Sequence, residues 1–250
     1  VRTGNALRHV LQFRFDAAGA GVLNPAKMNN AAPPVLPVAA PTAPLDLPLV
    51  REFFPELGEA VIGQLGRLAS SVLAWNTRLN LISRKDSAHI EEHHLLHALT
   101  LTRVLRPLAG ARFADLGTGG GFPGLVLATC YPQCRFTLVD SVGKKIAAVG
   151  DIARELGLRN VVARAQRAET LSEKFDYVTG RAVTALPTFL SWARPLLKTP
   201  APNGGIYYFK GTLWREELAG AAVQPASVWP LDAWIPRPFF AEKFLLHFPA

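Results

Sequence analysis

Cysteine, methionine and acid are scarce in this chain. Among 250 residues there are two cysteines, one methionine, and 19 Asp and Glu against 27 Lys and Arg. Two cysteines, Cys130 and Cys134, cannot staple a disulfide-built secreted scaffold, and no Cys-x-x-Cys pair exists to hold a metal or run redox chemistry. They read as small apolar thiols in a reducing compartment. The acid deficit leaves a net charge of +8 and pI ≈ 9.9, which points to a polyanionic partner without bearing on fold. A long apolar run is missing too. The longest uncharged central stretch, residues 116–134, holds five glycines and two prolines, which is loop chemistry rather than a bilayer span of about 20 apolar residues. A cytoplasmic protein without a membrane partner is expected. The 49% hydrophobic content is that of a globular chain and far from a disordered one.

Residues 1–46 differ from the rest. Arg2, Arg8, Arg14 and Lys27 face one acid, Asp16, and residues 31–48 contain six prolines. Such a stretch buries too little apolar surface to offset its ordering entropy. It reads as a disordered tail or as an extension upstream of a start at Met28, with an Arg-rich organelle presequence as the alternative. From Leu47 to Ile82 the pattern is helical: Leu57, Val61, Leu65, Leu68, Val72, Trp75 and Leu79 recur at spacings of three and four. A second helix is expected over Ser87–Leu108, capped by Asp86 or Ser87. Residues 47–108 therefore read as a helical N-terminal subdomain.

From residue 109 to 250, strand and helix signals alternate. Strands are expected at 112–116, 135–140, 161–165, 175–179, 206–210, 228–235 and 243–248. Helices fall between them at 123–131, 144–156 and 185–197. This alternation predicts an α/β fold with a mostly parallel sheet covered by helices.

The strongest local signal is Asp115-Leu-Gly-Thr-Gly-Gly-Gly-Phe-Pro-Gly124. Glycines let backbone approach a ligand closely, and Pro123 suits the first turn of a helix. The loop follows the first strand, where open α/β sheets bind ligands. Gly119-x-Gly121-x-x-Gly124 formally matches the dinucleotide fingerprint, so a nicotinamide cofactor stays open. Three acids favour S-adenosylmethionine instead. Asp115 would place a carboxylate where a pyrophosphate is repelled and a sulfonium attracted. Asp140 ends the second strand, in place for ribose hydroxyls, and Ala168-Glu169 follow the third, in place to flank an adenine. Each of Asp115 and Asp140 taken alone also fits a cap or turn residue. His93 and His97 lie one helical turn apart, a spacing two metal ligands use, but no third ligand is near and no metal is expected. Arg78, Arg84, Lys85, Lys144, Lys145, Arg164, Arg167, Arg181 and Lys210 fall near the expected cleft edges, as candidates for phosphate contacts.

At this point a resemblance becomes specific. Trp75-Asn-Thr-Arg-Leu-Asn80-Leu, the Asp115–Gly124 loop with its Phe-Pro-Gly ending, Asp140-Ser-Val-Gly-Lys-Lys145, Phe175-Asp-Tyr-Val-Thr-Gly-Arg181-Ala and Phe209-Lys-Gly211 occur in order over about 200 residues. Together they resemble the bacterial small-subunit ribosomal RNA guanine-N7 methyltransferases, also called glucose-inhibited division protein B. The resemblance implies a class I, Rossmann-like methyltransferase sheet, S-adenosylmethionine as cofactor, and ribosomal RNA or the small ribosomal subunit as partner of a monomeric enzyme. It implies cofactor contacts at Asp115, Gly117, Gly119, Gly121, Phe122, Asp140, Ala168, Glu169 and Arg181. Arg181 and Lys210 are implied as catalytic, and Asn80, Arg84, His93, Lys145, Arg167 and Lys210 as facing RNA. Two departures stand out: Ile82-Ser83 where the family shows Thr, and His97 where it shows an acid. A methyltransferase of another substrate, or a non-catalytic RNA-binding assembly factor, are the alternatives.

Overall fold

The computed structural model describes residues 43–199 and 204–250. Most of the expected tail therefore lies outside the described residues. Its last few residues lie against a helix: Leu45 N–H donates to the Gly66 carbonyl, and Ser70 Oγ donates to the Ala43 carbonyl.

Five strands run parallel: β1 (Arg112–Leu116), β2 (Arg135–Asp140), β3 (Val161–Ala165), β4 (Tyr177–Arg181) and β5 (Gly205–Lys210). β6 (Ser227–Pro230) and β7 (Phe244–Phe248) complete one sheet of order β3-β2-β1-β4-β5-β7-β6, in which β7 is antiparallel to both neighbours. The order in which strands are added thus reverses between β1 and β4, the kind of switch point at which open sheets hold ligands.

Alternation along the strands divides the core in two. Phe113, Phe136, Tyr177 and Phe209 face one side, with α1 (Pro48–Phe53), α2 (Glu59–Asn76), α3 (His97–Leu99), α4 (Gly124–Cys130) and α5 (Gly143–Glu155). Phe113 stacks on Tyr177 and Phe136 with centroids 4.4 and 4.6 Å away, pairs that contribute about 0.5–1.5 kcal/mol each beyond their burial. Ala114, Val178, Ile206 and Tyr208 face the other side, with α6 (Leu186–Ala193) and α7 (Trp214–Glu217). The N-terminal helices have no core of their own: Leu65, Leu95 and Leu99 share one apolar cluster with Phe113 and Phe136.

Most strands and α4 and α5 stand within a residue or two of their expected places. β4 begins at Tyr177 rather than Phe175, because Phe175 makes only an isolated bridge to Leu197. The strand expected over 228–235 stops at Pro230, where the chain turns at Leu231–Ala233. Pro55, which offers no N–H, follows the end of α1 and separates it from α2.

The helix expected over 87–108 is the main departure. It is a composite of 3₁₀ turns (Arg84–His89, Thr100–Arg103), a π-helical turn (Glu91–Leu96) and the short α3. Neither Asp86 nor Ser87 caps it. Asp86 accepts from His93 Nδ1 at 2.8 Å, and Ser87 Oγ accepts from Asn76 Nδ2 at 3.0 Å. No helix among the described residues is long and apolar enough to cross a membrane.

Candidate cofactor and substrate site

β1 ends at Leu116, and residues 117–123 carry the chain over the ends of β1 and β2 into α4. Thr118 N–H donates to the Val139 carbonyl, and Asp140 Oδ2 accepts from Gly119 N–H at 2.9 Å. The other Asp140 oxygen accepts from Val142 N–H at 2.9 Å, so one carboxylate fixes the loop after β1 to the turn after β2. Beside it opens a cleft of about 410 Å³ lined by Gly117, Gly119, Phe122, Asp140, Lys145, Arg167, Ala168, Glu169 and Arg181 among others. Gly119 holds φ +57°, and a Cβ there would meet only the Gly117 carbonyl oxygen at 4.0 Å. It lies on the cleft wall, so a side chain at this position would occupy the space a ligand needs.

Two expected cofactor residues do other work. Asp115 is 1% exposed and does not line the cleft. Its carboxylate accepts from Thr118 Oγ1 at 2.6 Å, Gly124 N–H at 3.0 Å and Thr179 Oγ1 at 3.2 Å. It braces the loop from beneath instead of meeting a sulfonium, because three donors compete for it where no ligand reaches. Burial raises its pKa to about 6 against the pull of those donors. Gly121 also lies off the cleft, and a Cβ there would strike Leu125 Cδ1 at 2.4 Å.

The opposite wall comes from the N-terminal segment, where Leu81 and Ile82 line the cleft. Asn76 holds them there: its buried Oδ1 accepts from Leu81 N–H at 2.8 Å and Ile82 N–H at 3.0 Å. The Leu81 carbonyl lies 3.0 Å from where a Gly120 Cβ would stand. Within Trp75–Leu81 it is thus Asn76 that shapes the cleft, while Asn80 is exposed and lines neither cavity beside Arg181.

Arg181 ties this wall to the sheet. Its guanidinium donates to the His93 carbonyl at 3.0 Å and to His94 Nδ1 at 2.7 Å, and lies over Phe122 at 5.7 Å. Burial lowers its pKa to about 10, so it is cationic at neutral pH. The bond from Arg181 puts the His94 ring proton on Nε2. That nitrogen is buried and faces Asp86 Oδ2 at 3.8 Å, beyond hydrogen-bond distance. Burial, with Arg181 adding to it, lowers the His94 pKa to about 3, so the ring stays neutral.

Lys210 lies outside this cleft, at the end of β5, where it pairs with Glu217 at 2.5 Å. His93 Nδ1 is engaged by Asp86, and its ring stacks on Phe239 at 3.8 Å. Arg84 is exposed on its 3₁₀ turn. Lys145 and Arg167, expected to face RNA, line the cofactor-sized cleft instead, and Arg167 is 3.4 Å from Glu169. Among the described residues no third ligand joins the His93–His97 pair. Among the described residues, the one group placed to hold a metal ion is His89, Glu92 and His93. Glu92 is occupied by Arg237 at 2.7 Å and His93 by Asp86.

S-adenosylmethionine fits these residues. Gly119 leaves an open cradle that a Cβ would fill, and Asp140 offers acceptors beside it. The strand order with its antiparallel β7, the glycine loop after β1 and the acid ending β2 define a class I S-adenosylmethionine-dependent methyltransferase. Residues 62–228 match the family model described as rRNA small subunit methyltransferase G, and the chain belongs to that family. The Ribosomal RNA small subunit methyltransferase G of Christiangramia forsetii is 35% identical over 208 residues, covering 82% of this chain and 98% of the relative. Its counterpart in Bacteroides fragilis is 41% identical over 174 residues, covering 68% of this chain and 84% of that one.

Proposed function

We propose that this protein methylates N7 of one guanine in small-subunit ribosomal RNA, acting as a cytoplasmic monomer on the RNA or on the small ribosomal subunit. Family membership supports the reaction class, and the cleft closed by Asp140, His94 and Arg181 supports the cofactor. S-adenosylmethionine, when bound, supplies a methyl group on a positively charged sulfur that keeps the electron pair of the broken bond.

Guanine N7 carries a lone pair and no proton, so no residue of this chain has to remove one. The chain's task is to hold, orient and exclude water, and such alignment can lower a barrier by about 7–11 kcal/mol. Asp140 accepts ribose hydroxyls while its carboxylate also ties the loop. Ala168 and Glu169 flank the adenine. Arg181 holds the wall between cofactor and base, and Lys210 attracts RNA phosphate. Transfer leaves the base positively charged, so a fixed carboxylate, Asp115 beneath the loop, complements the site without touching it.

The test is in vitro methylation of ribosomal RNA and of small subunits from cells lacking the enzyme, using isotope-labelled S-adenosylmethionine. Nucleoside mass spectrometry should find the label in 7-methylguanosine alone. Label at another position, in protein, or nowhere would overturn the reading. The last outcome would favour a non-catalytic assembly factor.

A further inference from the structure

The connection from β3 to β4, residues 166–176, contains only the 3₁₀ turn Ala168–Thr170. It therefore supplies no helix to cover the α6 side of the sheet at its β3 edge, and the sheet meets solvent there: Val162 on β3 is 51% exposed. Strand register puts basic side chains on this bare side. Arg112 of β1 pairs with Arg135 of β2, and Thr137 of β2 pairs with Val162, two residues before Arg164. Alternation turns all of them to the side of Ala114. With Arg159, which precedes β3, they line a groove of about 660 Å³ over the starts of β1 and β2 and along β3. Arg164, expected at an edge of the cofactor cleft, stands here instead.

Four arginines and, among the described residues, no Asp or Glu line the groove. Glu173 beside it binds Arg164 and lies 3.9 Å from Arg112, so one of the four charges is neutralised. Asp176 is taken by Lys198 at 2.8 Å. Arg135 and Arg159 are exposed and have no side-chain partner among the described residues. Arg112 and Arg135 face each other across one strand spacing, about 4.8 Å, and like charges directly opposite destabilise a sheet. An anion laid between them relieves that repulsion.

We propose that this groove is a second RNA-docking surface, which grips the sugar-phosphate backbone of a ribosomal RNA helix while the target base is held at the other end of the sheet. The inference rests on the ribosomal RNA reading above and adds a second point of contact. Arg135 and Asp140 stand at opposite ends of β2, about 17 Å apart, so a folded RNA can reach both the groove and the cleft, and a free nucleotide cannot. Guanidinium groups match phosphate geometry and stay charged at any working pH. Phe136, the one aromatic residue of the lining, is 2% exposed, so no ring is offered for a base to stack on. Contact is to the backbone alone, which sets register and orientation and carries no sequence information.

The probes are a fluorescein-labelled RNA duplex of about 20 base pairs, longer than one domain spans, and small subunits from cells lacking the enzyme, each tested with the full chain. Anisotropy across a salt series gives the slope of log affinity against log salt for the duplex. Arg135→Gln and Arg159→Gln should each lower its magnitude by about 0.7–0.9, and the double variant by about twice that. Arg67→Gln, an equal loss of charge at an exposed position of α2 across the sheet, should keep the wild-type slope. With small subunits the double variant should raise KM about tenfold at unchanged kcat. Its S-adenosylhomocysteine affinity and melting temperature should match the wild type. A wild-type protein that ignores the duplex, a wild-type slope in the double variant, or an equal drop in Arg67→Gln would each overturn the assignment. So would polyglutamate bound as tightly as the duplex, which would make the partner an acidic protein. The methylation reading fails separately: ribosomal RNA then gains no methyl group, while the duplex titrations still separate the variants.

Discussion

Replacing Asn76 by Ala tests how the cofactor cleft is built. The side chain is 9% exposed; its Oδ1 takes two backbone N–H bonds, from Leu81 and Ile82, and its Nδ2 donates to Ser87. Alanine leaves the buried Ile82 amide without an acceptor, while Leu81 N–H keeps the Leu79 carbonyl at 2.7 Å. Such an orphan costs about 1–3 kcal/mol, and that is the loss of stability expected. The damage should also be local. Leu81 and Ile82 form the wall facing the glycine loop, so hydrogen exchange at their amides should accelerate more than at β1 or β2, and S-adenosylhomocysteine should bind more weakly. Asn76→Asp keeps the acceptor and should recover most of both losses. Urea denaturation, exchange by mass spectrometry and calorimetry read the three effects. A change in stability below about 0.5 kcal/mol, the scatter of ordinary surface substitutions, with protected Leu81 and Ile82 amides would refute the bracket role.

Gly119→Val should abolish S-adenosylhomocysteine binding in calorimetry by filling the cleft, whereas Gly121→Ala, blocked by Leu125, should lower the melting temperature instead. Asp140→Ala should weaken cofactor binding by about 1–3 kcal/mol, since the ribose loses its acceptor and the Gly119 amide its anchor. Asp115 titrates near 6 when folded and near 3.8 when unfolded, so the native state binds the proton more tightly. Its contribution to stability should therefore fall by about 3 kcal/mol in all as pH rises from about 3 to about 7, and stay level above. Urea melts across that range should show this slope, and Asp115→Asn should remove it.

The readable part of the sequence was the part governed by short-range signals. β1, β2 and β3 are apolar runs closed by glycine or polar residues, and periodicity placed α4 and α5 beside them. Gly117, Gly119, Asp140, Ala168 and Arg181, all singled out from short motifs, line one cleft. Asp115 did not, because composition cannot tell a carboxylate that faces a ligand from one consumed by Thr118, Thr179 and Gly124. Periodicity assumes a constant pitch, so the π-helical turn that brings His93 and His94 to Arg181 was invisible. Asn76 stood in a recognised motif, yet its reach to Leu81 and Ile82 depends on how the chain turns after α2. Its presence just before that turn, as a small amide in a buried position, was the available signal.

The place of β4 in the sheet has a consequence for biosynthesis. β4 inserts beside β1 only after β2 and β3 have been made. A nascent chain that ends at Ala165 already carries the glycine loop, yet it lacks the guanidinium that fastens the His93–His94 turn. The cleft wall is then fastened only late in synthesis, and a message truncated upstream of Arg181 encodes a product whose wall is left untied.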